Sequence, residues 1–202
     1  MVFTTGVAQA DSITIAALGD SLTAGYGLPT QDGFVPQMQA WLDAAGADAV
    51  IVNAGVSGDT TAGGLSRAAW TLTPEVDAMI VALGGNDYLR GIDPAVSKNN
   101  LAGILEIAAQ QDVPVLLVGQ TVGGNYGIEY KQQFDGMYPE LAAQFGVQLF
   151  PSWFAGLNAA AGMTEGISAF LQPDNIHPNA EGVRIVADTL GPEVLALIDA
   201  AR

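Results

Sequence analysis

Five short stretches of the chain, Ser12–Leu18, Ala49–Asn53, Met79–Leu83, Val113–Val118 and Val147–Phe150, are apolar almost throughout and rich in branched side chains. A strand exposed on one face alternates apolar with polar residues, whereas an unbroken apolar run predicts a strand covered on both faces. Between these runs the period changes. Phe34–Ala45 carries Phe34, Met38, Trp41 and Leu42 at helical spacing and stops at Gly46. Leu101–Ala109 repeats an Ile/Leu stripe ahead of Pro114, and Tyr130–Phe145 puts Phe134, Met137, Tyr138, Leu141 and Phe145 on one side before Gly146. A last helix is expected from near Asn179 to the C-terminus, interrupted around Gly191-Pro192. Strands alternating with helices predict a three-layer α/β/α arrangement around a parallel sheet.

In such sheets functional groups gather beyond the carboxyl ends of the strands. The first run delivers Gly19-Asp20-Ser21 to that rim, the second Ser57-Gly58-Asp59-Thr60, and the third Gly84-Gly85-Asn86-Asp87. Ser21 precedes a short helical turn, where backbone N–H groups favour developing negative charge; the same position also suits a helix cap, with Asp20 assisting. The Gly58 N–H and the Asn86 amide are candidate oxyanion donors. Turn geometry at Gly58, capping by Asp59 or Thr60 and a tight connection at Gly84-Gly85 are the structural alternatives.

His177 is the only histidine in the chain, three residues after Asp174. Imidazole is the side chain suited to deprotonate a hydroxyl near neutral pH, and a carboxylate at that spacing can hold one ring nitrogen and leave the other free. A histidine at the start of the final helix, with Asp174 forming the turn, is the simpler alternative. Taken together, serine, glycine amide, side-chain amide and carboxylate-backed histidine make a complete set for acyl transfer.

Composition narrows the field. At 202 residues, half of them hydrophobic, the chain suits one sizeable core, and no apolar run approaches the roughly 18 residues of a membrane span. Its 21 acidic and 6 basic residues give a net charge of −15, which disfavours nucleic acid and anionic membranes as partners. The absence of cysteine excludes disulfides and thiolate chemistry, and with one histidine it leaves little from which to build a transition-metal site. Ala8-Gln9-Ala10 resembles a secretory cleavage site without the charged and apolar segments that precede one, so residues 1–10 are read as a leader remnant or a flexible terminus, and 11–202 as a single domain.

The four blocks Gly19-Asp20-Ser21-Leu22, Ser57-Gly58-Asp59-Thr60, Gly84-Gly85-Asn86-Asp87 and Asp174-Asn175-Ile176-His177-Pro178 resemble, in order, those of the SGNH (GDSL) hydrolases. Gly19–Gly27 and Gly124-Asn125-Tyr126-Gly127 are most similar to the bacterial arylesterase, acyl-CoA thioesterase and lysophospholipase branch. The resemblance implies a flavodoxin-like sheet of five parallel strands in the order 2-1-3-4-5. It implies Ser21 as nucleophile, His177 as base and Asp174 as its orienting partner, with Ser21 N–H, Gly58 N–H and Asn86 as the oxyanion hole. It also implies a cofactor-free serine esterase acting on small esters or thioesters, exported to the periplasm or secreted. Leu28, Tyr126, Trp153, Phe154, Phe170 and Leu171 are candidates for an apolar acyl groove, with core packing as the alternative for each. Tyr88 stands where the resemblance leads one to expect a smaller residue, and bears on substrate preference. A carbohydrate O-acetylesterase is the rival enzyme. A flavodoxin-like binding module is the rival from another class, although the first turn lacks a phosphate-loop lysine and the Gly-x-Gly-x-x-Gly pattern.

Overall fold

The structure is a computed structural model and describes residues 12–162 and 166–202; the Ala8-Gln9-Ala10 pattern lies outside them. Its strands are β1 (Ile13–Gly19), β2 (Ala49–Gly55), β3 (Ala78–Ala82), β4 (Val115–Val118) and β5 (Gln148–Phe150). They form one parallel sheet in the order β2-β1-β3-β4-β5, as expected. The helices are α1 (Ser21–Ala24), α2 (Phe34–Ala44), α3 (Thr61–Thr71), α4 (Gly85–Leu89), α5 (Pro94–Ala109), α6 (Ile128–Phe145), α7 (Ala155–Ala161) and α8 (Ala180–Ala200).

The unbroken apolar strands serve two cores at once. Ile80 and Ala82 of β3, with Leu116 and Val118 of β4, face Phe34, Met38 and Leu42 of α2 and Leu190, Val194 and Leu197 of α8. The alternate residues, Met79, Val81, Val115 and Leu117, face Leu101 and Ile104 of α5 and Phe134 and Leu141 of α6. The period of two along each strand is therefore hidden, because both faces are covered. At the sheet edge β2 departs from this: Ala49 and Ile51 are buried, but Val50 and Val52 are about half exposed.

Two expectations about helices change. The interruption at Gly191-Pro192 is absent, and α8 runs continuously through Pro192. Proline inside a helix costs about 3 kcal/mol, while burying a leucine or valine side chain stabilises by roughly 1.5–3 kcal/mol. Leu190, Val194 and Leu197 flank the proline and are fully buried, so packing outweighs the lost hydrogen bond. Trp41 of α2 also lies against the backbone at Gly191, where an added Cβ would come within 2.5 Å of the indole. The second change is at α5, which starts at Pro94, well before Leu101. Asp93 caps it by accepting from the Ala95 N–H, and Pro94 occupies the first turn, where a missing N–H costs nothing.

Candidate active site

The Ser21 hydroxyl emerges where β1 ends. Asp20 caps α1 by accepting from the Leu22 N–H at 3.0 Å, which leaves Ser21 as the first helical residue instead of the cap. Its own N–H then points from the helix start, and neither it nor the Gly58 N–H makes a hydrogen bond among the described residues. The serine therefore sits beside an unused donor, where the helix terminus favours negative charge.

His177 Nε2 lies 2.8 Å from Ser21 Oγ, and Nδ1 lies 2.6 Å from Asp174 Oδ2. The other Asp174 oxygen accepts from the Ile176 and His177 N–H groups, each at 3.0 Å. The His177 ring hydrogen bond, followed by these two N–H donors, lowers the Asp174 pKa to about 2. An ionised carboxylate can only accept, so Nδ1 carries the proton and Nε2 is left to accept from the serine hydroxyl. The ring is held from outside by Tyr26, with ring centroids 4.6 Å apart, and 15% of the side chain is exposed. Its segment is clamped where Gln172 N–H donates to the His177 carbonyl at 2.8 Å and Gln172 Nε2 reaches the Tyr26 and Pro178 carbonyls. The capping alternative for this histidine does not hold, because Asn179 caps α8 by accepting from the Gly182 N–H.

Gly58 has φ +85°, a left-handed conformation that disfavours any side chain, and Arg90 donates to its carbonyl at 2.7 Å. Thr60, not Asp59, caps α3. Asp59 instead pairs with Arg67, whose guanidinium also donates to the Gly19 and Ala54 carbonyls at 2.8 and 2.6 Å. One side chain thereby ties together the ends of β1 and β2.

Asn86 sits in the first turn of α4 and donates from Nδ2 to Asp20 Oδ2 at 3.3 Å. Burial is the main cause that raises the Asp20 pKa to about 6, with only 2% of the residue exposed. The neighbouring Asp87 is fully buried and anchors the helix, accepting from the Thr61 N–H at 2.8 Å, Thr61 Oγ1 at 2.5 Å and Ser97 Oγ at 2.9 Å.

Ser21, Gly58, Asn86 and His177 line one cavity of about 410 Å³. A hydroxyl hydrogen-bonded to an imidazole, beside unused N–H donors, is equipped for nucleophilic attack on a carbonyl and for holding the resulting oxyanion. Of the acyl-groove candidates, Tyr88 and Phe154 line the cavity. Trp153 does not: it is 1% exposed and packs against Phe34, with ring centroids 4.7 Å apart. Leu28 and Phe170 pack against the α2/α8 core, and Leu171 pairs with Pro178 behind the histidine. Tyr126 is about half exposed and meets Tyr88 edge to face at 5.7 Å, outside the lining. Leu22, Tyr26, Leu89, Gln120, Val122 and Ile176 line the cavity without having been singled out from the sequence. Leu22 and Ile176 belong to the four blocks and Tyr26 to the Gly19–Gly27 stretch, whereas Leu89, Gln120 and Val122 carry no local signal.

Among the described residues no group of three His, Asp or Glu side chains is arranged to hold a metal, and no helix is long and apolar enough to cross a membrane.

Known proteins carry the same architecture. The chain is 40% identical over 171 residues to esterase TesA of Pseudomonas aeruginosa, covering 84% of this chain and 82% of that one. It is 31% identical over 200 residues to thioesterase 1/protease 1/lysophospholipase L1 of Escherichia coli K12, covering 98% and 90%. A crystal structure of TesA superposes with a TM-score of 0.82 at 36% identity, covering 91% of this chain and 99% of that one. Residues 17–185 match the GDSL-like lipase/acylhydrolase family, and the chain belongs to that family of serine ester hydrolases.

Proposed function

We propose that the chain hydrolyses short- to medium-chain acyl and aryl esters through an acyl-enzyme on Ser21. The observation that carries this reading is the continuous relay from Asp174 through His177 to Ser21 Oγ, at 2.6 and 2.8 Å. His177 takes the hydroxyl proton as Ser21 attacks the carbonyl, and the oxyanion is held by the Ser21 and Gly58 N–H groups and the Asn86 amide. Asp174 stays ionised and stabilises the imidazolium without accepting the proton outright. His177 then protonates the departing alcohol, and water releases the acid by the same steps in reverse order of partners. No metal or organic cofactor takes part.

The apolar cavity walls, with Leu22, Tyr88, Val122 and Phe154, favour an acyl chain over an acetylated sugar. Thioesters and lysophospholipids are further candidate substrates, since one similar chain is named a thioesterase and lysophospholipase. Export to the periplasm or beyond is proposed on the resemblance to the bacterial arylesterase, thioesterase and lysophospholipase branch, with which the Ala8-Gln9-Ala10 pattern agrees.

Hydrolysis of p-nitrophenyl butyrate by the wild type and by Ser21→Ala tests the reading. A loss of about 10⁶-fold in kcat is expected, by analogy with serine proteases. Residual turnover within tenfold of wild type would remove Ser21 from the reaction.

A further inference from the structure

Of the residues that line the cavity, Gln120 carries a buried side-chain nitrogen with no hydrogen-bond partner among the described residues. It stands two residues past the end of β4, and the residue before it is fixed on both sides: Gly119 N–H donates to the Phe150 carbonyl at 2.8 Å, and the Gly119 carbonyl accepts from Trp153 N–H at 2.9 Å. The residue is 5% exposed, and its side-chain Nε2 is buried with no hydrogen-bond partner among the described residues. It lines the same cavity as Ser21, Asn86 and His177, beside Val122, Gly123, Tyr88 and Phe154. Strand order sets the direction: β1 delivers the serine, β3 the Asn86 amide, and β4 delivers Gln120 on the far side of Asn86. A buried amide left unpaired is disfavoured relative to an apolar side chain of the same size, so a methionine here would cost the fold less.

We infer that Gln120 is a specificity-determining residue: its amide hydrogen-bonds an oxygen substituent on the acyl chain, so that hydroxy- and oxo-acyl esters are preferred over their plain hydrocarbon counterparts. The inference rests on reading this cavity as the acyl site of the esterase. The substituent is a neutral hydroxyl or ketone and not a carboxylate, because Asp20 lines the same cavity and the chain carries a net charge of −15. An amide can donate to either oxygen and can also accept from a hydroxyl, so both substituents suit it.

The test is kcat/KM for two matched pairs, ethyl 3-hydroxybutyrate against ethyl butyrate and ethyl levulinate against ethyl pentanoate, followed by proton release. The wild type is expected to prefer the oxygenated member of each pair by about tenfold or more, the size of one well-made hydrogen bond. Gln120→Met is expected to abolish or invert that preference. A wild type that prefers neither oxygenated ester overturns the inference, and that result needs no variant to fold. A preference that survives Gln120→Met also overturns it, since the selectivity then lies elsewhere. Failure of the nucleophile assignment looks different: p-nitrophenyl butyrate turnover would persist in Ser21→Ala.

Discussion

Asp20 and Asn86 are coupled, and each makes a separate prediction. Asn86→Ala removes one of the proposed oxyanion donors and should lower kcat on an activated aryl ester on the order of 10²–10³-fold with little change in KM. Unchanged kcat would exclude Asn86 from the oxyanion hole. Asp20 holds the amide from behind with a carboxyl that burial raises from 3.8 to about 6. A carboxyl whose pKa rises on folding stabilises the fold fully below the unfolded value and withdraws that stability as pH climbs through the folded one. The swing amounts to about 3 kcal/mol between roughly pH 4 and pH 6, at about 1.4 kcal/mol per unit. Asp20→Asn is neutral throughout. Its melting temperature relative to wild type should therefore be more favourable at about pH 7.5 than at about pH 4.5. A difference independent of pH would mean that Asp20 ionises on folding as it does unfolded. Single residues were also where the sequence was most and least informative. Ser21, Gly58, Asn86, Asp174 and His177 stand in turns whose glycines and prolines mark them, whereas Gln120 carries no motif and Trp153 resembles a groove residue until the fold turns it toward Phe34. Arg67 and Arg90 act on carbonyls 48 and 32 residues away, a reach that no local pattern records.

Among the elements, α4 carries the most consequence for its length. Five residues long, it is too short to be stable alone and is held by Asp87, whose carboxylate takes three donors from α3 and α5. Asp87→Ala leaves those buried donors unsatisfied and should cost on the order of 3 kcal/mol, read as a lower denaturant midpoint at unchanged slope. Asp87→Asn, which keeps an acceptor, should cost less. Equal losses would mean that packing, not hydrogen bonding, fixes the helix. Strands and long helices were legible because burial imposes their periods. The start of α5 was not, because Ser97, Lys98, Asn99 and Asn100 interrupt the apolar stripe and only the Asp93-Pro94 cap marks it. The continuity of α8 through Pro192 was also hidden, since it depends on what α2 presses against it.

At the scale of the molecule, strand order does what no single motif can. Placing β1 between β2 and β3 brings the loops of Ser21, Gly58 and Asn86 to one rim, and the return of α8 beneath the sheet brings His177 to the same rim from 156 residues away. Parallel order and the positions of the loops along the chain made that convergence foreseeable; the cavity walls depended on side-chain packing and were not. Treatment with a fluorophosphonate, followed by digestion and mass spectrometry, tests the convergence most directly, because the phosphonyl group bonds only to a hydroxyl that a base has activated. The label is expected on the peptide carrying Ser21, and its rate of attachment should collapse in His177→Ala. Labelling of a different serine, or of Ser21 at an undiminished rate without His177, would contradict it.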